Sequence, residues 1–441
     1  MGVYQSWGRY PKVNQRACAP HLWRSEPLRL PDSGQSVLPF GLGRSYGDVC
    51  LNDRGCVIPT RWLNRYISFD RTTGLLRCEA GVSLADILDL VIPKGWFLPV
   101  TPGTKFVTVG GAIANDVHGK NHHKAGSFGC HVPRFELLRS DNTRLECSAD
   151  SNPDWYAATI GGMGLTGLIT WAEIQLIPIV NRFIDETSIK YRTLDQFFDL
   201  TAQYEQSHDY TVAWVDSLAS GRNIGRGLFM AGNHSRDTGR VLGGGKKPGP
   251  PVPVDFPDFV LNNLTIGAFN KLYYAKQLSK ESRHVKDLEP FFYPLDAIQD
   301  WNRVYGKRGF LQYQAVVPLD NGKAAVRDML KTIAGSSVGS AVTVLKVMGE
   351  RQSPGMMSFP RKGVTLALDF PIKGDTTFRL FHNLDDIVRD AGGRLYAAKD
   401  ARMTAEDYQR CYPQWRDFEK FIDPRFSSMF WRRVTGEVKH V

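Results

Sequence analysis

The residues best suited to chemistry lie in one stretch, TVGGAIANDVHGKNHHKAGSFG, which spans residues 108–129. It combines five glycines and three histidines with two lysines and two asparagines, and it has almost no bulky side chain. Glycine lets backbone N–H groups approach a ligand because no Cβ intervenes, and imidazole exchanges protons near neutral pH. The composition therefore favours a bound ligand beside groups that can move a proton.

A second glycine-rich stretch, PFGLGRSYGD at residues 39–48, lies upstream of the first. Consecutive backbone amides in such turns form nests that bind anions, so two loops could grip a diphosphate from both sides. A single loop would be equally well explained as a tight turn. The familiar nucleotide signatures do not fit, because a P-loop needs glycine where Ala114 stands and a Rossmann fingerprint is one residue shorter than Gly41–Gly47.

The histidines of this region also raise the question of a metal site. Their spacing does not match H-E-x-x-H, and no paired carboxylate follows. Clustered histidines more often form hydrogen bonds, so we predict no metal. The residues concerned are His118, His122, His123 and His131.

Composition limits the class of protein. The chain has 441 residues, of which 42% are hydrophobic and 23% charged, so we expect a folded protein of two or three domains. No apolar run approaches the ~18 residues of a membrane span, and the first residues show no signal peptide. Seven scattered cysteines without a CxxC pair indicate a reducing compartment. We therefore predict a cytoplasmic protein. A net charge of +10 favours anionic partners, but it is too dispersed to predict nucleic acid.

The elements that must position these loops alternate along the chain. SLADILDLVIPKG (83–95) predicts a helix that begins with a Ser83–Asp86 capping box, and residues 167–179 predict a long strand. Three alternating runs between residues 310 and 372 predict strands separated by helical segments. GGGKKPGPPVPVDFP (243–257) predicts a mobile loop. The whole pattern predicts an α+β fold.

These residues resemble the flavin oxidases of the vanillyl-alcohol oxidase type, which carry a PCMH-type FAD-binding domain. Within that family the chain is similar to oxidase subunits of the 2′-epimerases that act on polyprenylphosphoryl ribose. The resemblance covers residues 36–434 in matching order. It is carried by the segments GLGRSYGD, PVTPGTKFVTVGGAIANDVHGKNHHKAGSFG, GGMGLTGLI, FYPLDAIQDWNRVYGKRGFLQYQ, LDFPIK and GGRLYAAKDAR.

The resemblance implies an FAD-binding domain of two α+β subdomains in residues 1–181. It implies an inserted substrate domain in residues 182–393, built on an antiparallel sheet flanked by helices. Residues 394–441 would return to the FAD-binding domain. Each boundary is carried over from the family and is an expectation for this chain.

The resemblance also assigns FAD contacts by motif. Many relatives carry a histidine in the first glycine-rich loop that bonds covalently to the flavin, but Arg44 stands at that place here, so we expect non-covalent FAD. The implied cofactor-binding residues are Gly41, Leu42, Gly43, Arg44, Ser45, Tyr46, Gly47, Gly103, Thr108, Val109, Gly110, Gly111, Asn115, Asp116, Val117, His118, Ile169 and Tyr396.

Catalytic and substrate-binding roles are implied in the same way. Lys399, His118 and Tyr46 are the expected catalytic residues; a structural role for His118 is almost as good an interpretation. For Trp214, a place in the core competes with a place in the pocket. The implied substrate-binding residues are Lys120, Trp214, Gln312, Gln314 and Lys346.

The expected activity is FAD-dependent oxidation of the 2′-hydroxyl of a polyprenylphosphoryl-β-D-ribose to the 2′-keto sugar. This is the first half of epimerisation to an arabinose donor for glycan synthesis, and an NADH-dependent short-chain reductase would complete it. Loops within residues 235–285 could contact the inner membrane peripherally. Two alternatives stay open: an alditol or aldonolactone oxidase that uses O2, and a basic scaffold or glycan-binding protein without catalysis.

Overall fold

The protein was analysed as a computed structural model, which describes residues 4–31, 34–242 and 249–436. The strands are β1 (Arg16–Ala17), β2 (Val37–Phe40), β3 (Cys56–Pro59), β4 (Tyr66–Asp70), β5 (Leu75–Glu79), β6 (Trp96–Phe97), β7 (Arg134–Leu138), β8 (Arg144–Ser148), β9 (Leu168–Gln175), β10 (Ile177–Pro178), β11 (Phe183–Tyr191), β12 (Tyr210–Val215), β13 (Gly227–His234), β14 (Glu281–Asp287), β15 (Phe310–Val317), β16 (Thr343–Met348), β17 (Gly363–Pro371) and β18 (Arg394–Leu395). The α-helices are α1 (Leu84–Val91), α2 (Val109–Ala114), α3 (His122–Ala125), α4 (Pro153–Thr159), α5 (Leu194–Tyr204), α6 (Asn263–Ala275), α7 (Leu288–Phe292), α8 (Leu319–Ala334), α9 (Asp375–Asp390), α10 (Ala405–Cys411), α11 (Trp415–Glu419) and α12 (Met429–Thr435).

Two large sheets organise the chain. An antiparallel sheet of order β4-β5-β9-β7-β8 and a small parallel sheet of order β1-β3-β2 belong to the first part. An antiparallel sheet of order β14-β11-β13-β12-β16-β17-β15-β18 is built from the last eight strands, and β6 pairs with β10 in a separate two-stranded sheet. Helices and antiparallel sheets in these proportions confirm the α+β class. The division at residues 181 and 393 stays a prediction.

The first predicted helix begins where its capping box requires. The Ser83 hydroxyl accepts a hydrogen bond from the Asp86 backbone N–H at 3.1 Å, and the Asp86 carboxylate accepts one from the Ser83 backbone N–H at 3.0 Å. These bonds satisfy donors that a helix start leaves free. Helix α1 ends at Val91, and Gly95, with φ of 79°, closes the short 3₁₀ turn that follows.

Two predicted elements differ in extent. The strand predicted over residues 167–179 is divided at Leu176 into β9 and β10, which pair with different sheets. Part of the predicted mobile loop, residues 243–248, lies outside the described residues. Residues 249–257 contain no regular element apart from a bridge between Pro251 and Gln299.

The eight-stranded sheet has two chemically different faces. Side chains alternate along β15, so Leu311 and Tyr313 are buried in the apolar core that includes residues of α8 and α9. Gln312 and Gln314 occupy the opposite face, opposite Asp369 and Ala367 of β17 respectively. The sheet therefore carries a polar face, which contains the predicted site.

Within the described ranges, no helix combines the length and the apolar character that a transmembrane span requires.

Candidate active site

The two glycine-rich loops lie against each other. The first follows β2, and the second begins at Thr108, whose hydroxyl accepts a hydrogen bond from the Gly111 N–H at 3.1 Å and so caps α2. A Cβ placed on Gly41 would lie 2.4 Å from Oγ1 of Thr108. Glycine is therefore required at residue 41 for this close approach of the loops.

The first loop offers unpaired backbone donors. The N–H groups of residues 42–45 have no acceptor among the residues that the structure describes. Gly43 has φ of 60°, in the left-handed region that favours glycine, and a Cβ there would lie 2.6 Å from the Gln5 carbonyl oxygen. Successive free amides of this kind suit the oxygens of a phosphate.

Arg44, within the same loop, is stacked rather than paired with a carboxylate. Its guanidinium carbon lies 3.9 Å from the Trp7 ring centroid and 5.6 Å from that of Phe106. Burial lowers the pKa of this guanidinium, and its Nε has no hydrogen-bond partner in the described structure. The side chain is thus fixed by aromatic contacts, which leaves donor capacity unused.

The second loop keeps some of its own donors occupied. The Val109 N–H donates to the Val82 carbonyl at 2.9 Å and the Gly110 N–H to the Ala80 carbonyl at 2.8 Å. Asn115 donates to the Gly111 carbonyl at 2.9 Å, while its buried Oδ1 has no partner in the described part of the chain. The unpaired oxygen of Asn115 is a group that a bound ligand would satisfy.

Asp116 and Val117 carry the chain from α2 to His118. Asp116 has φ of 39°, and its buried carboxylate accepts a hydrogen bond from the Gly129 N–H at 2.8 Å. Burial raises the pKa of this carboxyl group. The Val117 N–H donates to the Ala112 carbonyl at 3.1 Å. These bonds fix the backbone that holds His118.

The remaining predicted cofactor residues are placed in different ways. The Tyr396 hydroxyl donates to the Asn115 carbonyl at 2.9 Å, and its ring stacks on Phe359 at 4.3 Å, so Tyr396 joins the second loop. Ile169 is buried in β9, where it pairs with Leu137. Gly103 has open space around the position of a Cβ. For Ile169 and Gly103, contact with a cofactor stays a prediction.

Lys399 is held against the first loop. Its Nζ lies 3.9 Å from the centroid of the Tyr46 ring, and the Tyr46 N–H donates to the Ala398 carbonyl at 3.0 Å. A Cβ on Gly47 would lie 1.6 Å from the Asp400 carbonyl oxygen, so the loop and the AAKD segment touch. Burial lowers the pKa of Lys399 to about 8, against the opposing charge of Asp369.

His118 lies between Gln314 and Lys346. Its Nε2 is 3.1 Å from Nε2 of Gln314, and its Nδ1 is 2.7 Å from Nζ of Lys346, which also donates to the Gly119 carbonyl at 2.5 Å. Burial and the lysine charges, Lys346 first, lower the pKa of His118 well below its ordinary value. Burial lowers the pKa of Lys346 to about 7. His118 is therefore a neutral imidazole that can accept a hydrogen bond.

Lys120 and Trp214 are fixed by protein groups. The Lys120 ammonium donates to the carbonyls of Phe291 and Phe292 at 2.8 and 3.1 Å, at the end of α7. Trp214 donates from Nε1 to the Ala341 carbonyl at 3.2 Å and is 8% exposed. Substrate contact by either side chain stays a prediction.

The other histidines bond mainly to backbone. His123 Nε2 lies 3.0 Å from the His208 carbonyl, and His131 Nε2 lies 2.9 Å from the Ala125 carbonyl. His122 is buried, and burial lowers its pKa to about 3. No group of three or more His, Cys, Asp or Glu side chains in the described ranges is arranged to hold a metal ion.

Sequence reasoning missed two features of the site, the buried carboxylate of Asp369 and the ion pairs that Arg433 forms with Asp48 and Asp400. Asp369 is 1% exposed and faces Gln312, whose Nε2 donates to its Oδ1 at 2.5 Å. Arg433 of α12 donates to Asp48 at 2.8 and 2.9 Å and to Asp400 at 2.9 Å. An acid in the otherwise apolar alternation of β17 could have indicated Asp369, whereas no local pattern marks the bonds of Arg433.

Comparison with known proteins identifies the family of this chain. The family model described as an FAD binding domain matches residues 29–148, which contain both glycine-rich loops. Decaprenylphosphoryl-β-D-ribose oxidase of Mycolicibacterium smegmatis is 37% identical over 91% of this chain and 90% of its own length. The chain belongs to this family of FAD-linked oxidases. An uncharacterized protein of Streptomyces coelicolor is 32% identical over 79% of this chain and 97% of its own length. Mouse L-gulonolactone oxidase is 28% identical over 48% of this chain and 48% of its own length.

The residues present fit the FAD that this family binds. Residues 42–45 supply free amides for a diphosphate, and the unpaired Oδ1 of Asn115 supplies a further polar contact. A side chain at Gly41 would collide with Thr108 of the second loop. A side chain at Gly47 would collide with Asp400, which follows Lys399. FAD-dependent oxidoreduction is thus the chemistry that this oxidase family brings to the site.

Proposed function

We propose that this protein oxidises the 2′-hydroxyl of a polyprenylphosphoryl-β-D-ribose to a keto group, with FAD as the bound cofactor. The observation that carries the proposal is the position of Lys399, whose ammonium lies 3.9 Å from the Tyr46 ring centroid at the end of the first loop. The similarity to decaprenylphosphoryl-β-D-ribose oxidase over nine-tenths of the chain supports the choice of substrate class.

FAD supplies the acceptor for the hydride of the alcohol carbon. The chain orients the substrate and controls its protons. Lys399 is proposed to stabilise negative charge on the sugar oxygen. Lys346, His118 and Gln314 form a hydrogen-bonded group that is proposed to bind the ribose hydroxyls or the phosphate. Tyr46 is proposed to cover the same site, with Gln312 on the sheet opposite.

We propose that FAD is held without a covalent bond. A guanidinium is not a nucleophile at neutral pH, and Arg44 is stacked 3.9 Å from the Trp7 ring centroid. Without a covalent bond, FAD would be held by contacts with Gly41–Gly47, with residues 108–118 and with Tyr396.

A lipid-linked substrate also needs an apolar route. Helix α6 exposes Leu264 (82%) and Leu272 (73%), and Phe269 is 46% exposed. Lys271 of α6 and Lys276, which caps the C-terminus of the helix, are also exposed. We propose that this face of α6 contacts an anionic membrane surface, where apolar side chains insert and lysines pair with headgroups.

The keto product requires a second enzyme. Conversion of the ketone to the arabinose epimer needs a hydride added from the opposite face of the sugar. An NADH-dependent short-chain reductase is therefore the proposed partner, and an arabinose donor for glycan synthesis is the proposed product.

Anaerobic mixing with substrate tests the proposed function. The purified yellow protein is mixed with farnesylphosphoryl-β-D-ribose or with xylitol, and flavin absorbance near 450 nm is followed. Bleaching by the ribosyl lipid alone is expected. Bleaching by xylitol alone would indicate an alditol oxidase, and purification without flavin would favour a scaffold that lost catalysis.

A further inference from the structure

Asp369 is a buried carboxylate that is only half satisfied. It lies in β17 and is 1% exposed. Its Oδ1 accepts a hydrogen bond from Gln312 at 2.5 Å, whereas its Oδ2 is buried and has no partner in the described part of the chain. A buried carboxylate oxygen without a donor is costly, and a catalytic role or a bound water or ion is among the explanations for such a group in a native structure.

The groups around Asp369 come from four elements. Gln312 lies opposite it on β15. Asp369 also interacts electrostatically with Lys399 of the C-terminal segment, with Tyr46 of the first loop and with Tyr305 of the turn Trp301–Tyr305. Within the described ranges, no Lys, Arg or His nitrogen lies within 4.0 Å of its carboxylate. Burial raises the pKa of Asp369 to about 7, although Gln312 and Lys399 oppose the increase.

Asp48 and Asp423 are buried carboxylates that are paired, whereas Asp116, like Asp369, has a buried Oδ2 without a partner in the described structure. Asp48, which is fully buried, accepts two hydrogen bonds from Arg433. Asp423, 1% exposed, accepts from the Ser140 and Arg425 backbone N–H groups at 2.8 and 2.9 Å. Asp369 differs from Asp48 and Asp423 because one of its oxygens is left free, and it differs from Asp116 because its bonded partner is Gln312 on the polar face of the sheet rather than the Gly129 backbone.

We infer that Asp369 is a catalytic residue that accepts, through Oδ2, the proton of the hydroxyl being oxidised. Gln312 fixes the carboxylate by its bond to Oδ1, and Lys399 stabilises the developing oxygen charge. The inference rests on the proposed function and adds a proton acceptor to it.

The atoms and electrons of this step balance. The O–H bond of the alcohol breaks and its proton forms an O–H bond with Asp369. The C–H bond would break as well, and bound FAD would supply the acceptor for its hydrogen and both electrons, so that the alcohol becomes a ketone. The carboxylic acid then returns its proton to solvent.

The pH dependence follows from the protonation of Asp369. Below pH about 7 the carboxyl group is protonated and cannot accept a proton, so flavin reduction should accelerate as pH rises through this value. Above pH about 8 Lys399 loses its charge, and the rate should fall again. The increase in the rate of flavin reduction near pH 7 should be absent when residue 369 cannot ionise.

The first test uses the holoenzyme with Asp369→Asn, which has nearly the same shape. Anaerobic reduction by farnesylphosphoryl-β-D-ribose is followed from pH 5 to pH 9 in both proteins. We expect the variant to retain FAD, to lose the increase in rate near pH 7 and to be reduced about 10²–10⁴-fold more slowly, the range for a general base. Asp369→Glu should recover part of the rate.

The second test measures melting temperature against pH and needs no turnover. A carboxyl group whose pKa is raised on folding lowers the stability of the folded protein as the pH rises. The loss begins at the pKa of the group in the unfolded chain and is complete above its folded pKa of about 7. Asp369→Asn should therefore melt above the wild-type holoenzyme at pH 8, and the difference should shrink toward pH 5. The matched control Asp423→Asn, which weakens satisfied bonds, should melt lower at pH 8.

The outcomes separate the inference from the proposed function. A variant Asp369→Asn that is reduced at the wild-type rate, or that melts lower at pH 8 as Asp423→Asn does, overturns the role of Asp369 alone. Failure of the ribosyl lipid to reduce wild-type flavin at any pH overturns the proposed function and the inference that rests on it.

Discussion

At the scale of single residues, the site concentrates buried cations around a neutral histidine. Nζ of Lys346 lies 2.7 Å from Nδ1 of His118, and burial lowers the pKa values of Lys346 and Lys399 to about 7 and 8. An anionic substrate would compensate these charges and favour the protonated lysines. The residues therefore suit a phosphorylated sugar better than a neutral polyol.

Replacing Lys399 tests the role of that charge. Lys399→Met keeps the length of the side chain and removes the ammonium, so we expect reduction by the ribosyl lipid to slow by about 10²–10³-fold. FAD content, measured by absorbance, should remain near that of the wild type. Lys399→Arg is the control that keeps the charge, and wild-type rates in Lys399→Met would contradict the assignment.

Arg44 permits a simple test of cofactor attachment. Arg44, which is stacked on Trp7, is proposed to form no flavin bond, so precipitation with acid should release the flavin into the supernatant. Absorbance of pellet and supernatant measures the distribution. A yellow pellet after washing would show a covalent link and would contradict the prediction.

At the scale of elements, the C-terminal segment fixes the first loop. Arg433 of α12 bonds Asp48, which follows the loop, and Asp400, which follows Lys399. All three side chains are buried. One guanidinium thus connects the loop to the lysine that is proposed to act beside it.

Gly47 provides a direct test of this contact. A Cβ there would lie 1.6 Å from the Asp400 carbonyl oxygen, so Gly47→Ala must displace the loop or the AAKD segment. We expect a lower melting temperature and a lower FAD content after purification. Gly267→Ala is the matched control, because its Cβ would meet only Leu218 at 3.8 Å. Equal FAD content in the two variants would refute the contact.

Local signals predicted some elements well and others not at all. The capping box at Ser83 and the alternation in β15 are local, so sequence reasoning found them. The pairing of Gln312 with Asp369 depends on the register between β15 and β17, which no single segment specifies. The bonds of Arg433 span the length of the chain and are invisible to local patterns.

At the scale of the whole molecule, the polar face of the eight-stranded sheet meets the second glycine-rich stretch. The hydrogen bond between Gln314 and His118 crosses this junction at 3.1 Å. Motif resemblance predicted both sides of the junction, since most site residues lie in its matching segments. Asp369 and the other residues that complete the junction could be identified only from the three-dimensional structure.

The exposed face of α6 is the part of the molecule proposed to contact a membrane. In flotation with vesicles containing anionic phospholipid, we expect the wild-type protein to float and Leu264→Ser/Leu272→Ser to remain in the bottom fraction. The double variant removes two exposed apolar side chains from the outer face. The control Trp62→Ser, 57% exposed in the wild type and distant in sequence, should float. Equal flotation of all three proteins would refute the proposed contact.

The central claim is that FAD in this site takes hydride from the 2′ carbon of a ribosyl lipid. The most direct measurement is anaerobic flavin reduction by farnesylphosphoryl-β-D-ribose carrying deuterium at that carbon, followed by mass spectrometry of the sugar. We expect slower bleaching than with the protiated substrate and a 2′-keto product that has lost the deuterium. Equal bleaching rates together with a sugar that retains its deuterium would contradict the account.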